Sequence, residues 1–451
     1  MSGPAPARRA AHRALLRLRA GHARLDDSGA ALSELEGLDE RDRRLATELV
    51  LGTVKRRLAL DAVLAAFVRS SLHRLEPAVL EALRLGAFQL LYLDRVPAHA
   101  AVDDSVALVA AHGRRTRGFV NATLRAVARD GRGRLSELAA GDDPRSRAVR
   151  WSCPEWLVGI LMRDLGEEAA VAFLEAANAP PERCLRVNPL RGDVAGTRAA
   201  LAAEGYTTWD VDEVPGALLY DGPPLERSQA FTRGLVTAQS RASQVAGLVA
   251  APADAAGGPL LDLCAAPGTK TAQLAAAHPG ARVVAVERDG QRLAALRANL
   301  SRLGAGTVET LRGDATKLPT AFDGAFAAVL LDAPCSGLGT LGTRPDVRWR
   351  RRPADIAALA VRQRALLAAA ARCTRPGGTL TYAVCTVTRE ETLAVVTTLL
   401  RTPGWRADDL GAVWPRAAHP RHGAYLLALP PCWGSTAFFV ARLRREGSVA
   451  P

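Results

Sequence analysis

The sequence predicts a multidomain chain with an all-α bundle, a small α+β module and an α/β domain built on a parallel sheet. Apolar residues recur at helical spacing through residues 5–130. From residue 235 onward, apolar strands alternate with helices, which is the pattern of a parallel sheet. The stretch between them mixes short strands and helices. We therefore expect three domains, at residues 1–135, 140–234 and 235–451.

Composition excludes several classes of protein. No apolar run of the 451 residues approaches 18, so no membrane span is expected. The stretch Met1–Arg19 has scattered arginines and no apolar core, unlike a signal peptide. Seven cysteines without a CxxC pair argue against a disulfide framework or a zinc site, and favour a reducing cytoplasm. We expect the close pair His419 and His422 to lie in solvent.

The charge balance favours a polyanionic partner. Lys plus Arg is 59 and Asp plus Glu is 46, a net charge of +13 with a pI near 10.2. Codon bias would explain arginine in place of lysine, but not the surplus of positive charge, so nucleic acid is the favoured partner. Lysine is rare in this chain, and Lys270 in a glycine-containing loop is therefore a candidate for a required compact ammonium group.

Local signals divide the first two domains. Asp39 is the expected N-cap of a helix over Arg41–Phe67, and Pro77 opens the next helix. Further helices are expected near residues 99–111 and 118–129, before a linker at Arg132–Asp143. The arginines of this bundle fit a solvated face or an RNA footprint equally well. In the second module a strand from Cys184 carries Arg186 and Asn188, which either contact RNA or lie solvated at the strand end.

The third domain shows a regular succession of strands and helices. Strands are expected at 259–264, 282–286, 307–311, 325–331, 379–384, 426–429 and 437–443, with helices ending near 277 and over 291–303, 356–373 and 389–400. In open α/β sheets, ligands bind at the carboxyl ends of the strands. Functional residues are therefore expected in the loops that follow these strands.

Two thiols and a carboxylate follow two of these strands. Asp332 and Cys335 lie in the loop after the fourth strand, and Cys385 follows the fifth. A single free cysteine is more often a small buried hydrophobe than a reactive group. Both cysteines together, with a glycine loop upstream, favour covalent chemistry on an electrophilic ring.

The loop after the first strand of this domain has the features of a cofactor cradle. It consists of Cys264, Ala265, Ala266, Pro267, Gly268, Thr269 and Lys270. Backbone N–H groups at such a helix N-terminus bind anionic groups. Glu287 ends the second strand and is suited to accept ribose hydroxyls, and Asp314 after the third could accept from an adenine amino group. The GxGxxG dinucleotide fingerprint is absent.

The chain resembles two known families in its motifs. Leu38–Arg43, Leu83–Leu91 and Gly118–Arg125 resemble the NusB-like RNA-binding helical domain over residues 5–130. Leu261–Thr271, Leu331–Gly337 and Tyr382–Thr386 resemble the Nol/Nop/Sun group of RNA cytosine-5 methyltransferases, which have the class I methyltransferase fold. The intervening module is similar to the connecting domain of ribosomal RNA cytosine methyltransferases.

This resemblance implies roles for the residues at the strand ends. Cys385 would be the nucleophile, Cys335 would help release the product, and Asp332 would contact the base, with Lys270 in its catalytic surroundings. S-adenosylmethionine would be the cofactor, with contacts from residues 264–270, Glu287, Asp314 and Asp332. The implied substrate is small-subunit (16S) ribosomal RNA outside a fully assembled subunit, acted on by a cytoplasmic monomer.

Some positions depart from the family pattern. Thr269 replaces a glycine, Glu287 replaces an aspartate, Ser240 stands where an acidic residue is usual, and Thr436 replaces an aspartate. Two other functions compete with the RNA enzyme. One is a non-catalytic RNA-binding factor, against which the intact cysteines and Asp332 argue. The other is an enzyme acting on DNA, in which Cys335 would attack the base.

Overall fold

The computed structural model describes residues 4–25, 33–255 and 257–447. The chain divides into two compact units, one of Met1–Asn178 with Arg344–Arg350 and one of Ala179–Thr343 with Arg351–Pro451. The short segment Arg344–Arg350 thus belongs to the first unit although it comes from the middle of the second. None of the helices in the described ranges has the length and apolar character needed to cross a membrane.

The first unit is helical, as predicted. Its helices are α1 Pro6–Arg19, α2 Glu40–Lys55, α3 Arg57–Phe67, α4 Pro77–Tyr92, α5 Ala98–Leu108, α6 Gly113–Ala139, α7 Pro144–Trp151, α8 Glu155–Leu165, α9 Glu167–Asn178 and α15 Val347–Arg350. The central helix α4 is buried on nearly all sides, because its apolar residues do not form a single stripe. Asp39 is the N-cap of α2, and its Oδ1 accepts from the Asp42 amide at 2.8 Å.

Two predictions for this unit were wrong. The single helix over Arg41–Phe67 is broken at Arg56, because the Ser152 hydroxyl accepts from the amides of Leu58 and Ala59 and caps the start of α3. The linker at Arg132–Asp143 is helical as far as Ala139. Leu135 and Leu138 pack against the core there, and this burial offsets the low helix propensity of the neighbouring glycines.

The second unit begins with a small antiparallel sheet. Its strands are β1 Cys184–Val187, β2 Thr207–Asp210, β3 Ala217–Asp221 and β4 Val236–Ala238, in the order β2-β3-β1-β4, with helices α10 Val194–Ala203 and α11 Gln229–Thr232. Arg186 and Asn188 are buried, so neither is a solvated strand-end residue or an exposed RNA contact. The Asn188 amide donates to the carbonyls of Gly234 and Leu303 at 2.8 and 2.7 Å.

The larger sheet of this unit carries the predicted strands. They are β5 Leu260–Leu263, β6 Val283–Glu287, β7 Glu309–Arg312, β8 Phe326–Asp332, β9 Thr374–Val384, β10 Trp405–Ala407, β11 Leu426–Ala428 and β12 Phe438–Arg445. The helices are α12 Arg241–Val249, α13 Thr269–Ala277, α14 Gly290–Arg302, α16 Pro353–Cys373 and α17 Leu393–Leu400. Strand β10 was not predicted, because three residues are too few to show a clear alternation of apolar and polar side chains.

The order of the sheet is β10-β12-β9-β8-β5-β6-β7, with β11 paired to β12. Strands β9, β8, β5, β6 and β7 are parallel, and β12 is antiparallel to β9, so the sheet is mixed rather than wholly parallel. From β5 the chain winds toward β7 on one side, and β8 and β9 lie on the other. This reversal makes a topological switch point at the carboxyl ends of β5 and β8.

The prediction that His419 lies in solvent was wrong, because its side chain is buried. Its ring centroid lies 6.3 Å from that of Phe439, in an edge-to-face arrangement. Burial, with smaller effects of His422 and Arg421, lowers the pKa of His419 to about 4. The ring is therefore a neutral part of the core at physiological pH.

Candidate active site

The predicted site residues converge at the switch point of the larger sheet. Leu263 pairs with Leu331 across β5 and β8, and Asp332 pairs with Ala383 across β8 and β9. The loops that leave these three strands carry the glycine loop, the Asp332–Cys335 segment and Cys385. Because the strands are parallel neighbours, all three loops leave the same edge of the sheet.

The two strand-end cysteines are direct neighbours. The Sγ atoms of Cys335 and Cys385 lie 3.4 Å apart, although the residues are 50 positions apart in the chain. Neither cysteine is in a disulfide, and both are partly buried. The hydrogen bond with Cys385, followed by burial, raises the pKa of Cys335 well above its ordinary value. Because the two thiols interact this closely, they titrate as a coupled pair and resist losing both protons together.

Lys270 and Asp332 form an ion pair beside these thiols. The Lys270 Nζ donates to Asp332 Oδ2 at 2.7 Å and lies 4.9 Å from the ring centroid of Phe438. Burial alone would lower the pKa of Lys270, but the charge and hydrogen bond of Asp332, with the charge of Cys385, raise it. Lys270 thus remains a cation in a buried position, where its charge favours a neighbouring thiolate.

The glycine loop between β5 and α13 has an unusual backbone that side chains hold in place. Cys264 has a φ of +62°, an uncommon left-handed conformation, and Gly268 has a φ of +95°. Arg292 donates to the Ala266 carbonyl at 2.8 Å, and Asn299 donates to the Pro267 carbonyl at 2.8 Å. Strain of this kind is typical of ligand-binding loops and persists because the surrounding contacts maintain it.

Thr269 and Lys270 begin the helix that follows this loop. Thr269 is the first residue of α13, and its carbonyl accepts from Arg186 Nη2 at 3.2 Å. The Nε of Arg186 also donates to Gln239 Oε1 at 2.9 Å, so Arg186 supports the loop from within the fold. Ser240 caps α12, accepting from the Ser243 amide at 3.4 Å. The departure at Ser240 therefore has a structural role, and Thr436 is buried.

Buried acidic atoms beside the loop fit a polar cofactor. Glu287 ends β6 and is 4% exposed, and its Oε1 accepts from the Asp289 amide at 2.9 Å. Within the described ranges, Glu287 Oε2 and Asp262 Oδ1 are buried and accept no hydrogen bond, and the nearest cation to Glu287 Oε2 is Arg292 Nη1 in an ion pair at 3.6 Å. Buried acceptors of this kind require a donor, and ribose hydroxyls would supply one at Glu287. These acceptors and the N-terminus of α13 after the glycine loop are consistent with a nucleoside-containing cofactor.

Asp314 stands apart from the buried acids. Its side chain is 36% exposed, and its Oδ1 accepts from the amide and hydroxyl of Thr316 at 2.9 and 2.8 Å. The hydrogen bond from the Thr316 backbone amide, followed by the hydrogen bond from its hydroxyl, lowers the pKa of Asp314. Asp314 is therefore ionised at neutral pH. Its contact with an adenine amino group remains a prediction.

Sequence reasoning missed a buried carboxylate that joins the two cysteine loops. Glu391 is fully buried and accepts from the Ser336 amide at 2.7 Å and from the Ser336 hydroxyl at 2.5 Å. Thr388 and Glu391 have the three-residue spacing of a helix capping box, and they precede α17. That spacing indicates a helix start, so the sequence offered no separate signal for a role near the cysteines.

A Rossmann-like sheet with a glycine loop, an acid at the end of the second strand and reactive side chains at the switch point defines a class I methyltransferase domain. Family models agree with this class and with the other domains. A 16S rRNA methyltransferase RsmB/F model matches residues 249–444, a NusB family model matches 5–129, and an RsmF/B-like ferredoxin-like domain model matches 153–224.

Relatives extend the match to the whole chain. A putative methyltransferase of Mycobacterium tuberculosis, Rv1407, is 39% identical, covering 98% of this chain and 96% of that protein. The probable ribosomal RNA small subunit methyltransferase B of Bacillus subtilis is 32% identical over 91% of this chain and 92% of its own. The crystal structure of the protein PH0851 matches with a TM-score of 0.81 and 25% identity, covering 99% of this chain and 100% of that one.

The chain belongs to the RsmB/F family of 16S rRNA methyltransferases. The predicted fold class, with its NusB-like bundle, small connecting domain and Rossmann-like methyltransferase domain, is confirmed. S-adenosylmethionine is the methyl donor of this class of enzyme. The predicted domain boundaries stay predictions.

Proposed function

We propose that the protein transfers a methyl group to carbon 5 of a cytosine in 16S rRNA, through a covalent bond between Cys385 and carbon 6 of the base. One observation carries this proposal, namely the 3.4 Å distance between the Sγ atoms of Cys385 and Cys335. A single thiol is enough for a nucleophile. A second thiol within hydrogen-bond distance adds a group for proton transfer, which carbon 5 methylation also requires.

Cys385 activates the base in the proposed reaction. The thiolate gives its electron pair to carbon 6, the electrons of the carbon 5–carbon 6 double bond form a carbon 4–carbon 5 double bond, and those of the carbon 4–N3 double bond bind a proton from an acid at N3. Lys270 supports this step because its positive charge favours the Cys385 thiolate. S-adenosylmethionine supplies the electrophilic methyl group that carbon 5 takes. The target base must reach this pocket in single-stranded or flipped-out form.

Cys335 acts in the release of the product. The proton on carbon 5 leaves to a base, its electron pair restores the ring double bond, the bond between carbon 6 and Cys385 Sγ breaks with its electron pair returning to sulfur, and N3 gives up the proton that it took. Before attack, the hydrogen bond with Cys385 is the largest cause that raises the pKa of Cys335. Once Cys385 is bonded to carbon, this effect is lost. Cys335 then ionises more easily and can take part in the elimination.

The remaining site residues hold the substrate and the cofactor in this proposal. Asp332 contacts the N3 edge of the base, and Lys270 orients Asp332 through its bond to Oδ2. Residues 264–270 and Glu287 bind the cofactor, Asp314 contacts its adenine, and Asp332 borders it. The RNA is taken before the subunit is fully assembled, and the protein works as a monomer in the cytoplasm.

Alanine variants of the two cysteines test the reaction on a denaturing gel with labelled 16S rRNA and S-adenosylmethionine. Cys335→Ala should accumulate a protein–RNA band, because attack proceeds but elimination stalls. Cys385→Ala should give neither the band nor methylated RNA. Cys432→Ala, which removes an exposed thiol, should behave as the wild type. A trapped band in Cys385→Ala would reverse the two roles, and loss of activity without any band would contradict covalent catalysis.

A further inference from the structure

The buried carboxylate of Glu391 connects the loops that carry the two cysteines. Its Oε1 accepts from the Ser336 amide at 2.7 Å and from Gln363 Nε2 at 3.0 Å. Its Oε2 accepts from the hydroxyls of Ser336, Thr386 and Thr388 at 2.5, 3.2 and 3.0 Å. Ser336 follows Cys335 and Thr386 follows Cys385, so one side chain contacts the next residue after each thiol.

Every group that hydrogen-bonds to the Glu391 carboxylate is a donor, so this position requires an acceptor on both oxygens. A carboxylate has only acceptor sites, about four in all, which suits the Ser336 amide, Gln363 and the surrounding hydroxyls, and the Thr386 hydroxyl also lies 2.9 Å from the Ser336 hydroxyl. Glutamine has nearly the same shape, but its NH₂ group would face donors on one side. Burial of a carboxylate is costly unless donors satisfy it, and these donors are themselves buried. The site is therefore built for a charged acceptor and not merely for a side chain of this size.

Neighbouring residues complete the support of the Cys335 loop. Gln363 Nε2 also donates to the Pro334 carbonyl at 3.0 Å. Arg351 donates to the carbonyls of Ser336 and Cys335 at 2.8 and 3.3 Å. On the other loop, the Cys385 carbonyl accepts from the Gly339 amide at 2.9 Å. The backbone on both sides of the thiol pair is thus fixed by hydrogen bonds, with Glu391 as the side chain common to both loops.

We propose that Glu391 is a positioning residue that holds the Cys335 and Cys385 thiols at their reactive spacing and so sets the rate of product release. This inference rests on the proposed function. Glu391 contacts no substrate in this proposal and acts through Ser336 and Thr386. Its negative charge also helps to raise the pKa of Cys335, after the hydrogen bond with Cys385 and burial.

Glu391→Gln is the direct test, with Glu390→Gln as the control in the same loop. Glu391→Gln should lower kcat by 10- to 100-fold with little change in KM for RNA or for S-adenosylmethionine. Covalent protein–RNA species should accumulate, as expected for Cys335→Ala. The pH at which release is half-maximal should shift down, because a negative charge near Cys335 is lost. Glu390→Gln should keep the wild-type kcat and pH profile.

The spacing of the thiols has a readout that does not require activity. Phenylarsine oxide bonds to two adjacent thiols, each thiol gives up its proton, and the oxide oxygen leaves as water. Wild-type protein should capture this reagent through Cys335 and Cys385, as mass spectrometry of the peptides would show. Glu391→Gln should weaken capture about 10-fold, and Ser336→Ala should weaken it less. Unchanged capture and unchanged release in Glu391→Gln would overturn the inference.

A double variant separates this inference from misfolding and from failure of the proposed function. In the Cys335→Ala background, Glu391→Gln should add no further accumulation of the covalent species, because both changes affect the same step. An additional loss of attack in that background would show that Glu391 serves general stability and would overturn the inference. If Cys335→Ala itself traps no RNA, the proposed function fails first. If Cys335→Ala traps RNA and Glu391→Gln releases it at the wild-type rate, only this inference fails.

Discussion

Substitution of Arg348 should release the short helix α15 from the helical unit. The Arg348 guanidinium is buried, and Nη1 donates to the carbonyls of Lys55 and Ser152 at 3.2 and 3.1 Å. It also donates to Asn178 Oδ1 at 3.0 Å through Nη1 and to the Ala177 carbonyl at 3.3 Å through Nη2. These acceptors belong to the C-terminal ends of α2, α7 and α9, where unpaired carbonyls carry partial negative charge.

The cost of the substitution follows from these contacts. A hydrogen bond to a charged donor contributes about 1.5–3 kcal/mol, and several bonds to one group do not add fully. Removing the side chain also leaves a cavity and orphaned carbonyls, so Arg348→Ala should cost about 3–5 kcal/mol. Arg348→Met keeps most of the volume and removes the desolvation penalty of the charge. It should cost less, about 1–3 kcal/mol, for the carbonyls left unpaired.

Limited proteolysis with trypsin measures this release, because Arg344 and Arg351 flank the helix. A local cost of about 3 kcal/mol raises the open population, and therefore the cleavage rate, on the order of 100-fold. The control is Arg44→Ala in α2, which also removes one cleavage site but affects a side chain that is 69% exposed. Its exposed ion pair with Glu40 contributes little, about 0–1 kcal/mol. Cleavage beside α15 in Arg348→Ala at the rate of the Arg44→Ala control would refute the reasoning.

Three further outcomes are expected. Glu287→Ala should weaken binding of S-adenosylmethionine at least 10-fold by calorimetry, since a charged acceptor contributes about 1.5–3 kcal/mol per hydrogen bond, and unchanged affinity would contradict the ribose contact. The logarithm of the affinity for 16S rRNA should fall linearly with the logarithm of salt concentration, because each neutralised phosphate releases counterions, and a flat salt dependence would exclude contacts between arginines and phosphates as its source. Burial raises the pKa of Asp262 to about 7. Between pH ~4 and 7 the folded state therefore holds a proton that the unfolded state has released. The free energy of unfolding consequently falls as pH rises through this range. Asp262→Asn should therefore be more stable than the wild type at pH 8 and lose this advantage toward pH 4 in denaturant titrations.

Much of the architecture was predictable because the signals are local. Pro77 opens α4 as predicted, and Asp39 caps α2 as its side-chain chemistry indicates. Strands β5 and β6 of the larger sheet are buried along their whole length, which is why their positions could be read from the sequence. The motifs at the strand ends likewise pointed to one edge of one sheet, since parallel strands share a direction.

The sequence could not determine which buried polar residues support that edge. Arg186 and Asn188 are polar residues near a strand end, where solvent exposure is usual, but the fold buries them against carbonyls from distant segments. The break between α2 and α3 depends on the Ser152 hydroxyl, more than 90 residues away. Local periodicity carries no information about such partners, because they depend on the packing of separate helices.

By itself, the sequence determined most of the element types, the glycine loop, the two strand-end thiols and the excess of positive charge. Only the tertiary structure decided that Cys335 and Cys385 lie 3.4 Å apart, that Lys270 pairs with Asp332, and that Glu391 joins both cysteine loops. The physical reason is the order of the strands. Adjacency of β8 and β9 brings together residues 50 positions apart, and this adjacency follows from packing of the whole sheet and not from any local pattern.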